Sequence, residues 1–481
     1  MQKNKSIQLN AILNIIKQCC VIIFPLITYS YVTRVLGSAN YGRFSFSQSI
    51  IELFVSLASL GIPTYAIRET ARVRDDNKKV ENISSQLLTI NVIMLVFTLI
   101  VLFLLVRMVP RLHRESVLIA ILSMEIISNI FGRDWVNNVF EDFFYLTIRY
   151  IVIQTISLIL ILTLIKTSND FIKYTWIMAI SYSANYLLNI YYTRRYIPYK
   201  LTIHLNLKKH LKPIIYLFCI QIATTIFVKS DIIILGFFRP DSEVGIYTIA
   251  SNIYVVIKTL LNAVIVVAIP RLSVYLGKED RESYMRLLSG LRNVLYTLVI
   301  PSVIGILFLS KDIMTILGGN AFVSGFSSLS ILCVAIFFAV FGCFYSQAIL
   351  VPNRDERSYF FATVLSALVN VGLNFVLIPI WGINAAAFTT VLAEATIVLV
   401  CRKFSQEYID KFTVMKISPI VLGCVAIALS CILCQKNMHW IVFRVSGSIL
   451  ISSFLYVIIL ILGKNEVVLN GLEMIRKKLK L

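Results

Sequence analysis

Charged residues are scarce in this chain. Asp, Glu, Lys and Arg make up 15% of its 481 residues, whereas soluble domains carry about 25%. With 58% of residues hydrophobic and a mean hydropathy of +0.82, the chain is too apolar to hide its side chains in a core. A large soluble domain is excluded, and an integral membrane protein is expected. Acidic residues are the scarcer sign, 25 against 45 basic, for a net charge of +20. On a soluble protein that surplus would point to nucleic acid. Here the basic residues sit mainly between apolar runs, where they orient a membrane protein, and no nucleic-acid partner is expected. The four histidines, His113, His204, His210 and His439, fall in expected loops or at span ends, which argues against an acyltransferase. The nine cysteines are an odd set placed largely in apolar runs, so no disulfide framework is implied. Cys431 and Cys434 are spaced as CxxC but have no second ligand pair nearby, and neither metal nor cofactor is expected. No small-residue cleavage site closes the apolar run that follows Lys3 and Lys5, which is expected to be a retained first span.

What the chain has in abundance is apolar stretches of about 20 residues, the length of a spanning helix. Fourteen are expected, an all-α arrangement: 9–32, 44–66, 84–106, 116–136, 144–166, 170–193, 214–237, 244–269, 290–310, 325–351, 357–380, 382–401, 417–434 and 440–462. Basic residues favour alternate loops by a roughly threefold margin, which places both termini in the cytoplasm. The linker from Arg194 to Lys212 carries six basic residues and two histidines. It separates an expected lobe at 1–213 from a second at 214–416, followed by an extra helix pair and basic tail at 417–481.

The halves resemble each other. TRVLGSANYGRFSFSQSI (Thr33 to Ile50) aligns with IIILGFFRPDSEVGIYTIASNI (Ile232 to Ile253): an apolar span, Leu-Gly, a short loop, a glycine, then a helix flecked with polar residues. Gly61-Ile62-Pro63 and RETARVRDD are echoed by Ile269-Pro270 and GKEDRE. Both halves start from the same side, so a parallel repeat is expected, two lobes about a central path.

Several spans carry polar residues at intervals of three and four, hence on one face. Span one has Asn10, Asn14, Lys17 and Gln18, and span two has Ser45, Gln48, Ser49, Glu52, Ser56 and Ser59. Spans six, eight and eleven add Tyr182, Asn185 and Tyr186; Tyr254 and Lys258; and Asn370 and Asn374. Single Ser, Thr and Asn residues suit helix packing. Ionisable ones mark a pathway, and these are Lys17, Glu52, Lys229, Asp231, Lys258 and Glu394. Glu125 and Arg149 fit a helix end as well as a span. Amides, hydroxyls and tyrosines bind sugars, and lysine and arginine neutralise phosphate. A polyprenyl-pyrophosphate oligosaccharide has both parts and would suit such a path, although composition and spacing do not by themselves identify a cargo. Its expected contacts are Lys17, Lys229 and Lys258, Arg34, Arg43 and Arg271 at the rims, and Glu52, Asp231, Asn374 and Glu394 along the wall. The competing role for Lys258 is to balance a buried carboxylate such as Asp231 or Glu52.

PLITYSYVTRVLGSANYGRFSFSQS, GIPTYAIRETARVRDD, KSDIIILGFF with EVGIYTIASN, and LNFVLIPIWGINAAAFTTVLAE resemble, in order, the polysaccharide flippases of the Wzx type, in the multidrug/oligosaccharidyl-lipid/polysaccharide exporter superfamily. The resemblance implies two six-helix bundles about a V-shaped alternating-access cavity, with two extra carboxyl-terminal helices. It implies a non-enzymatic transporter in the bacterial cytoplasmic membrane that moves undecaprenyl-pyrophosphate-linked repeat units to the outer leaflet. Implied partners are membrane lipids, polysaccharide polymerase and assembly proteins, and a coupling ion, H+ or Na+. A multidrug exporter of the superfamily typically uses an acidic residue in its first helix, whereas span one has Lys17 and no carboxylate. A membrane glycosyltransferase or polymerase would want a large outer loop, and the outer loops are short.

Overall fold

The computed structural model describes residues 7–203, 206–408 and 417–478, with side chains except at 7–15, 207–209, 407, 474–475 and 477–478. Lys3, Lys5 and His204 lie outside the described residues, as do the side chains of Asn10 and Asn14. Every element is helical, and no strand occurs among the described residues. Helices α1 (Ile7–Ser59), α2 (Ile62–Ala71), α3 (Asn77–Met108), α4 (Pro110–Arg114), α5 (Ser116–Leu122) and α6 (Met124–Gly132) open the chain. They are followed by α7 (Asp134–Val139), α8 (Phe143–Leu164), α9 (Phe171–Thr193), α10 (Leu207–Phe238), α11 (Asp241–Gly277) and α12 (Arg281–Gly318). The last six are α13 (Phe326–Cys343), α14 (Glu356–Trp381), α15 (Ile383–Phe404), α16 (Ser418–Asn437), α17 (Ile441–Leu462) and α18 (Glu466–Lys478).

Among the described residues, twelve helical stretches are long and apolar enough to cross a membrane. Two of the expected spans lie together in the first of these, which runs from Ile16 to Ala71, and α9 is not among the twelve. Their outer faces suit lipid. Phe97, Phe103, Leu422, Leu450 and Phe454 are each more than half exposed, an apolar surface that water would not tolerate at this extent.

Helix α1 is too long for one crossing, since 53 residues would extend about 80 Å. It breaks at Gly37, where φ is 77° and ψ 170°, a conformation that only glycine adopts without strain. The rings of Tyr29 and Tyr41 lie 6.2 Å apart across the break, whereas a straight helix would separate these positions by about 18 Å along its axis. The chain therefore doubles back, and the two arms of α1 run side by side. Tyr31 and Asn40 anchor the reversal by donating to the carbonyls of Ile165 (2.7 Å) and Ser168 (2.9 Å) in the turn before α9.

A second break divides the expected span 116–136 into α5, α6 and α7. Arg133 sits at φ 46° and ψ 48°, between α6 and α7. Its guanidinium lies over the Tyr199 ring at 3.4 Å and donates to Ser84 Oγ (2.8 Å) and the Ile197 carbonyl (3.2 Å). Those contacts hold an arginine in a left-handed conformation that costs of order 1–3 kcal/mol.

The chain divides into two compact units, Met1–Gly245 and Ile246–Leu481, with the boundary inside α11. The first unit has a core of Leu60, Ile62, Tyr65, Leu87, Trp135 and Ile214. Its only buried histidine among the described residues, His210, meets the Tyr65 hydroxyl at 2.8 Å. In the second unit, α16 and α17 pack on α12 through Leu309, Ile420, Ile427 and Tyr456. Tyr456 donates to the Thr297 carbonyl (2.8 Å), Gln435 to that of Phe308 (2.7 Å), and Arg444 pairs with Asp312.

Candidate functional site: two polar cavities in the first unit

The polar stripe of α1 meets α10 and α6 around a cavity of about 670 Å³. Glu52 and Lys229, two of the intramembrane charges singled out in the sequence, form an ion pair at 2.6 Å on its wall. Gln48 donates to Glu125 at 2.9 Å and to Glu52 at 3.5 Å, so one amide links the two carboxylates. The Ser56 and Thr225 hydroxyls meet at 2.9 Å, and Gln221 donates to Ser59 Oγ at 3.1 Å. Val55, Leu217, Ile220 and Val228 supply apolar wall. The chamber presents donors and acceptors at close intervals between apolar patches, as a sugar requires.

A second cavity, of about 230 Å³, is lined by Lys17, Asp134, Arg149, Tyr150, Tyr182 and Tyr186, and Glu125 borders both. Both Asp134 oxygens accept from Arg149 Nη2, at 3.0 and 2.9 Å. Asn189 steadies the carboxylate by donating to its Oδ1 (3.0 Å) and also reaches the Gly132 carbonyl (2.6 Å) and Asn137 (2.8 Å). Asp134 escaped sequence reasoning because it sits beside Arg133 at a span end. The break at Arg133 is what turns it toward Arg149.

The second unit holds a comparable pair. Lys258 lies 2.5 Å from Glu394, which also accepts from the Tyr254 hydroxyl at 2.6 Å. Glu394 is 2% exposed. Asn374 is buried, accepting from Thr389 (2.5 Å) and donating to Asn370 (3.2 Å). Asp231 is buried in the first unit, away from the Glu52–Lys229 pair by its place on the α10 helix, where two residues span about 200°. Arg271 is exposed on α11. Arg34 bonds back to Ser30 within its own helix.

Arg43 joins a different cluster. Glu115, fully buried, accepts from Arg43 (2.9 Å), Arg111 (3.1 Å) and Arg114 (2.9 Å), and Arg111 and Arg114 both also pair with Asp241. The acidic partners hold the Arg114 guanidinium above the ordinary arginine value against the opposing effect of burial. The lattice connects the first of the two similar sequence segments, through Arg43, with the second, through Asp241. The helices meet here at very close range. A Cβ on Gly42 would lie 1.8 Å from the Asp241 carbonyl oxygen and 2.8 Å from the Gly245 nitrogen, and one on Gly245 would lie 2.2 Å from the Ser38 carbonyl oxygen. The aligned glycines of the Leu-Gly pairs differ in use. Gly37 makes the reversal, whereas Gly236 stays helical and admits the Phe46 ring, which would lie 2.0 Å from an added Cβ.

Among the described residues no three His, Cys, Asp or Glu side chains are grouped to hold a metal ion.

A family signature described as polysaccharide biosynthesis protein matches residues 8–276. A provisionally named O-antigen transporter of Escherichia coli strain K12 is 25% identical over 279 residues, which is 57% of this chain and 66% of that one. The provisionally named low-salt glycan biosynthesis flippase Agl15 of Haloferax volcanii is 29% identical over 197 residues, 40% of each chain. Both alignments take in less than two thirds of the relative's own length. Among solved structures, the inward-facing conformation of a multidrug resistance MATE family transporter of the MOP superfamily matches 80% of this chain and 93% of its own, with a TM-score of 0.60 at 13% identity. That likeness establishes the fold.

Proposed function

Because the chain belongs to the polysaccharide biosynthesis protein family, we propose that it is a flippase for lipid-linked oligosaccharide repeat units, moving an undecaprenyl-pyrophosphate-linked cargo from the inner to the outer leaflet of the bacterial cytoplasmic membrane. The observation that carries this reading is the pair of polar cavities among membrane helices of the first unit, rich in amides, hydroxyls and tyrosines and flanked by lysine and arginine. Sugars are held by such mixed donors and acceptors, and a phosphate leaving water needs charge-assisted hydrogen bonds in exchange. Lys17, Lys229 and Lys258 are the cations proposed to meet the pyrophosphate, with Arg34, Arg43 and Arg271 at the rims. Glu52, Asp231, Asn374 and Glu394 complete the proposed wall.

The proposal includes alternating access by two six-helix bundles in a V-shaped arrangement, cytoplasmic termini, and drive from an H+ or Na+ gradient. Polymerase and assembly proteins would receive the exported unit. Chemistry on the cargo has no place in this reading. The competing reading is cation-coupled drug export, which would use a carboxylate available to a proton or cation. Against it, Glu52 is engaged by Lys229 and Glu125 by Gln48.

Deletion of the gene tests the proposal. An oligosaccharide on a polyprenyl pyrophosphate should accumulate in the inner leaflet and clear on complementation. Unchanged lipid-linked pools together with new drug sensitivity would sink it in favour of drug export.

A further inference from the structure

Helix α18 differs in character from α16 and α17, which are apolar along most of their length, and it starts at a fixed corner. The last turn of α17 closes with Lys464 at φ 52°. The Lys464 N–H donates to the Ile461 carbonyl (3.0 Å), and the Asn465 N–H reaches back to the Leu460 carbonyl (2.9 Å). These two bonds about a left-handed residue end a helix and redirect the chain. The Asn465 side chain then accepts from the Val467 and Val468 N–H groups, at 3.0 and 3.4 Å, and so caps α18. Two caps on adjacent residues leave the corner no slack, and α18 does not prolong α17. Because α17 is long and apolar enough to cross a membrane, and its last residue Leu462 is 77% exposed, the corner lies where lipid ends.

From that corner the helix is two-faced. Positions 468, 472 and 475, all apolar, share one face by their intervals of four and three, and Asn470, Glu473 and Lys477 fall on the other. Val468 packs against the cluster that joins α12, α16 and α17. Leu472, one turn further along the same face, is 43% exposed. The protein body thus covers the first turn of the apolar face and leaves the next uncovered, at the level of the bilayer surface. The charge of the helix is as uneven as its polarity. Of residues 476–481 four are basic, Arg476, Lys477, Lys478 and Lys480, the last outside the described residues, whereas α18 carries only Glu466 and Glu473 as acids. The carboxyl end of a helix favours cations, but four within six residues repel one another unless anions stand nearby. A leaflet of anionic phospholipid supplies both missing partners, acyl chains for the apolar face and phosphates for the basic end.

We propose that α18 is a docking surface for anionic phospholipid, lying along the membrane surface with its apolar face in the acyl boundary beyond Val468 and its basic end on headgroup phosphates. A polarity-sensitive fluorescent amino acid is placed at Leu472 or at Asn470 of the full chain, in phosphatidylcholine nanodiscs of increasing phosphatidylglycerol content. At Leu472, blue-shifted emission and quenching by acyl-brominated lipid should rise with phosphatidylglycerol, and at Asn470 neither should appear. The combined variant Arg476→Gln, Lys477→Gln and Lys478→Gln should raise the phosphatidylglycerol fraction needed for half-maximal quenching by about twofold or more. High salt should do the same, and Arg286→Gln, at an exposed surface pair elsewhere, should leave it unchanged. The salt series needs no charge substitution, so it decides the matter if the triple variant fails to fold. Equal quenching at the two positions, or none at Leu472, overturns insertion of this face. Quenching at Leu472 that ignores phosphatidylglycerol, salt and the triple variant overturns the recognition of anionic headgroups. A blue shift in detergent that grows with protein concentration would make a second copy of the chain the occupant and overturn the proposal as well. None of these outcomes depends on what the protein carries, so the flippase reading stands or falls separately.

Discussion

At the scale of single residues, the two lysine–glutamate pairs pose the sharpest question, because an ion pair can hold helices together or can open to take a cargo. Replacing Lys258 by Gln strands Glu394, which is nearly inaccessible. Removing one partner of a buried pair costs about 3–5 kcal/mol, and less where, as here, the lysine is partly exposed. The charge-swapped double variant Lys258→Glu with Glu394→Lys separates the two roles. Thermal stability should return toward the parent value in the swap, while export should stay low, because a cation would no longer stand at position 258. Recovery of both would leave Lys258 a structural role only.

Asp280 allows a test outside the membrane segments. It caps α12 by accepting from the Ser283 backbone N–H at 3.0 Å, and that bond holds its carboxyl below the ordinary aspartate value. A folded value below the unfolded one adds stability that is complete above the unfolded value and is lost as pH falls through the folded one. The melting temperature of the parent should therefore fall more steeply below about pH 4 than that of Asp280→Asn, which keeps the cap without the charge. Parallel curves down to about pH 3 would remove Asp280 as a contributor.

These residues also show what could be read in advance. Glu52, Lys229, Lys258 and Glu394 stand out in the sequence because a charge in an apolar run is conspicuous whatever its partner. Their pairing was not legible, since 177 residues separate Glu52 from Lys229 and 136 separate Lys258 from Glu394. Asp134 was hidden because a charge at a span end has an ordinary explanation, and only the left-handed Arg133 redirects it.

At the scale of elements, the helix breaks carry more information than the helices. Apolar runs predict where helices lie, and the described helices follow them. The joins depend on single backbone conformations that hydropathy does not register. Gly37 and Gly42 illustrate the difference and can be told apart by experiment. An alanine at Gly37 meets nothing within 4 Å and suffers only the positive φ, a cost of order 1–3 kcal/mol. An alanine at Gly42 must push away the backbone of Asp241 and Gly245. Gly37→Ala should yield folded protein with a lowered melting temperature, and Gly42→Ala should yield little monodisperse protein in fluorescence-detected size exclusion. Equal behaviour of the two would contradict the close approach at Gly42.

For the whole molecule, the proposed alternating access makes a prediction of its own. Spin labels placed one in each unit should show cargo-dependent distance changes of opposite sign on the two membrane faces. One unchanging distribution under all conditions would count against alternating access. Orientation is tested separately by a cysteine at Lys208 in the linker. Protection from an impermeant reagent added to intact cells is expected, and labelling from outside would invert every loop assignment. The all-helical, membrane-spanning character was legible at this scale because hydropathy is a pattern summed over hundreds of residues, whereas the number of separate spans was not: fourteen were expected and twelve stretches are found among the described residues. The packing of α16 and α17 on α12 was not legible either, because it depends on individual contacts such as Arg444 with Asp312.

The contact of Gly42 with Gly245 bears on how freely the two similar segments can vary. Similar segments within one chain need stay alike only where they answer to the same constraint, and the likeness of the two halves here is confined to short stretches. At Gly42 and Gly245 the neighbour of each segment is the other. A side chain acquired by either glycine would have to be accommodated by its counterpart in the same step, so neither position is at liberty to change alone. The two aligned glycines stand where the segments touch, and neither position has room for a side chain.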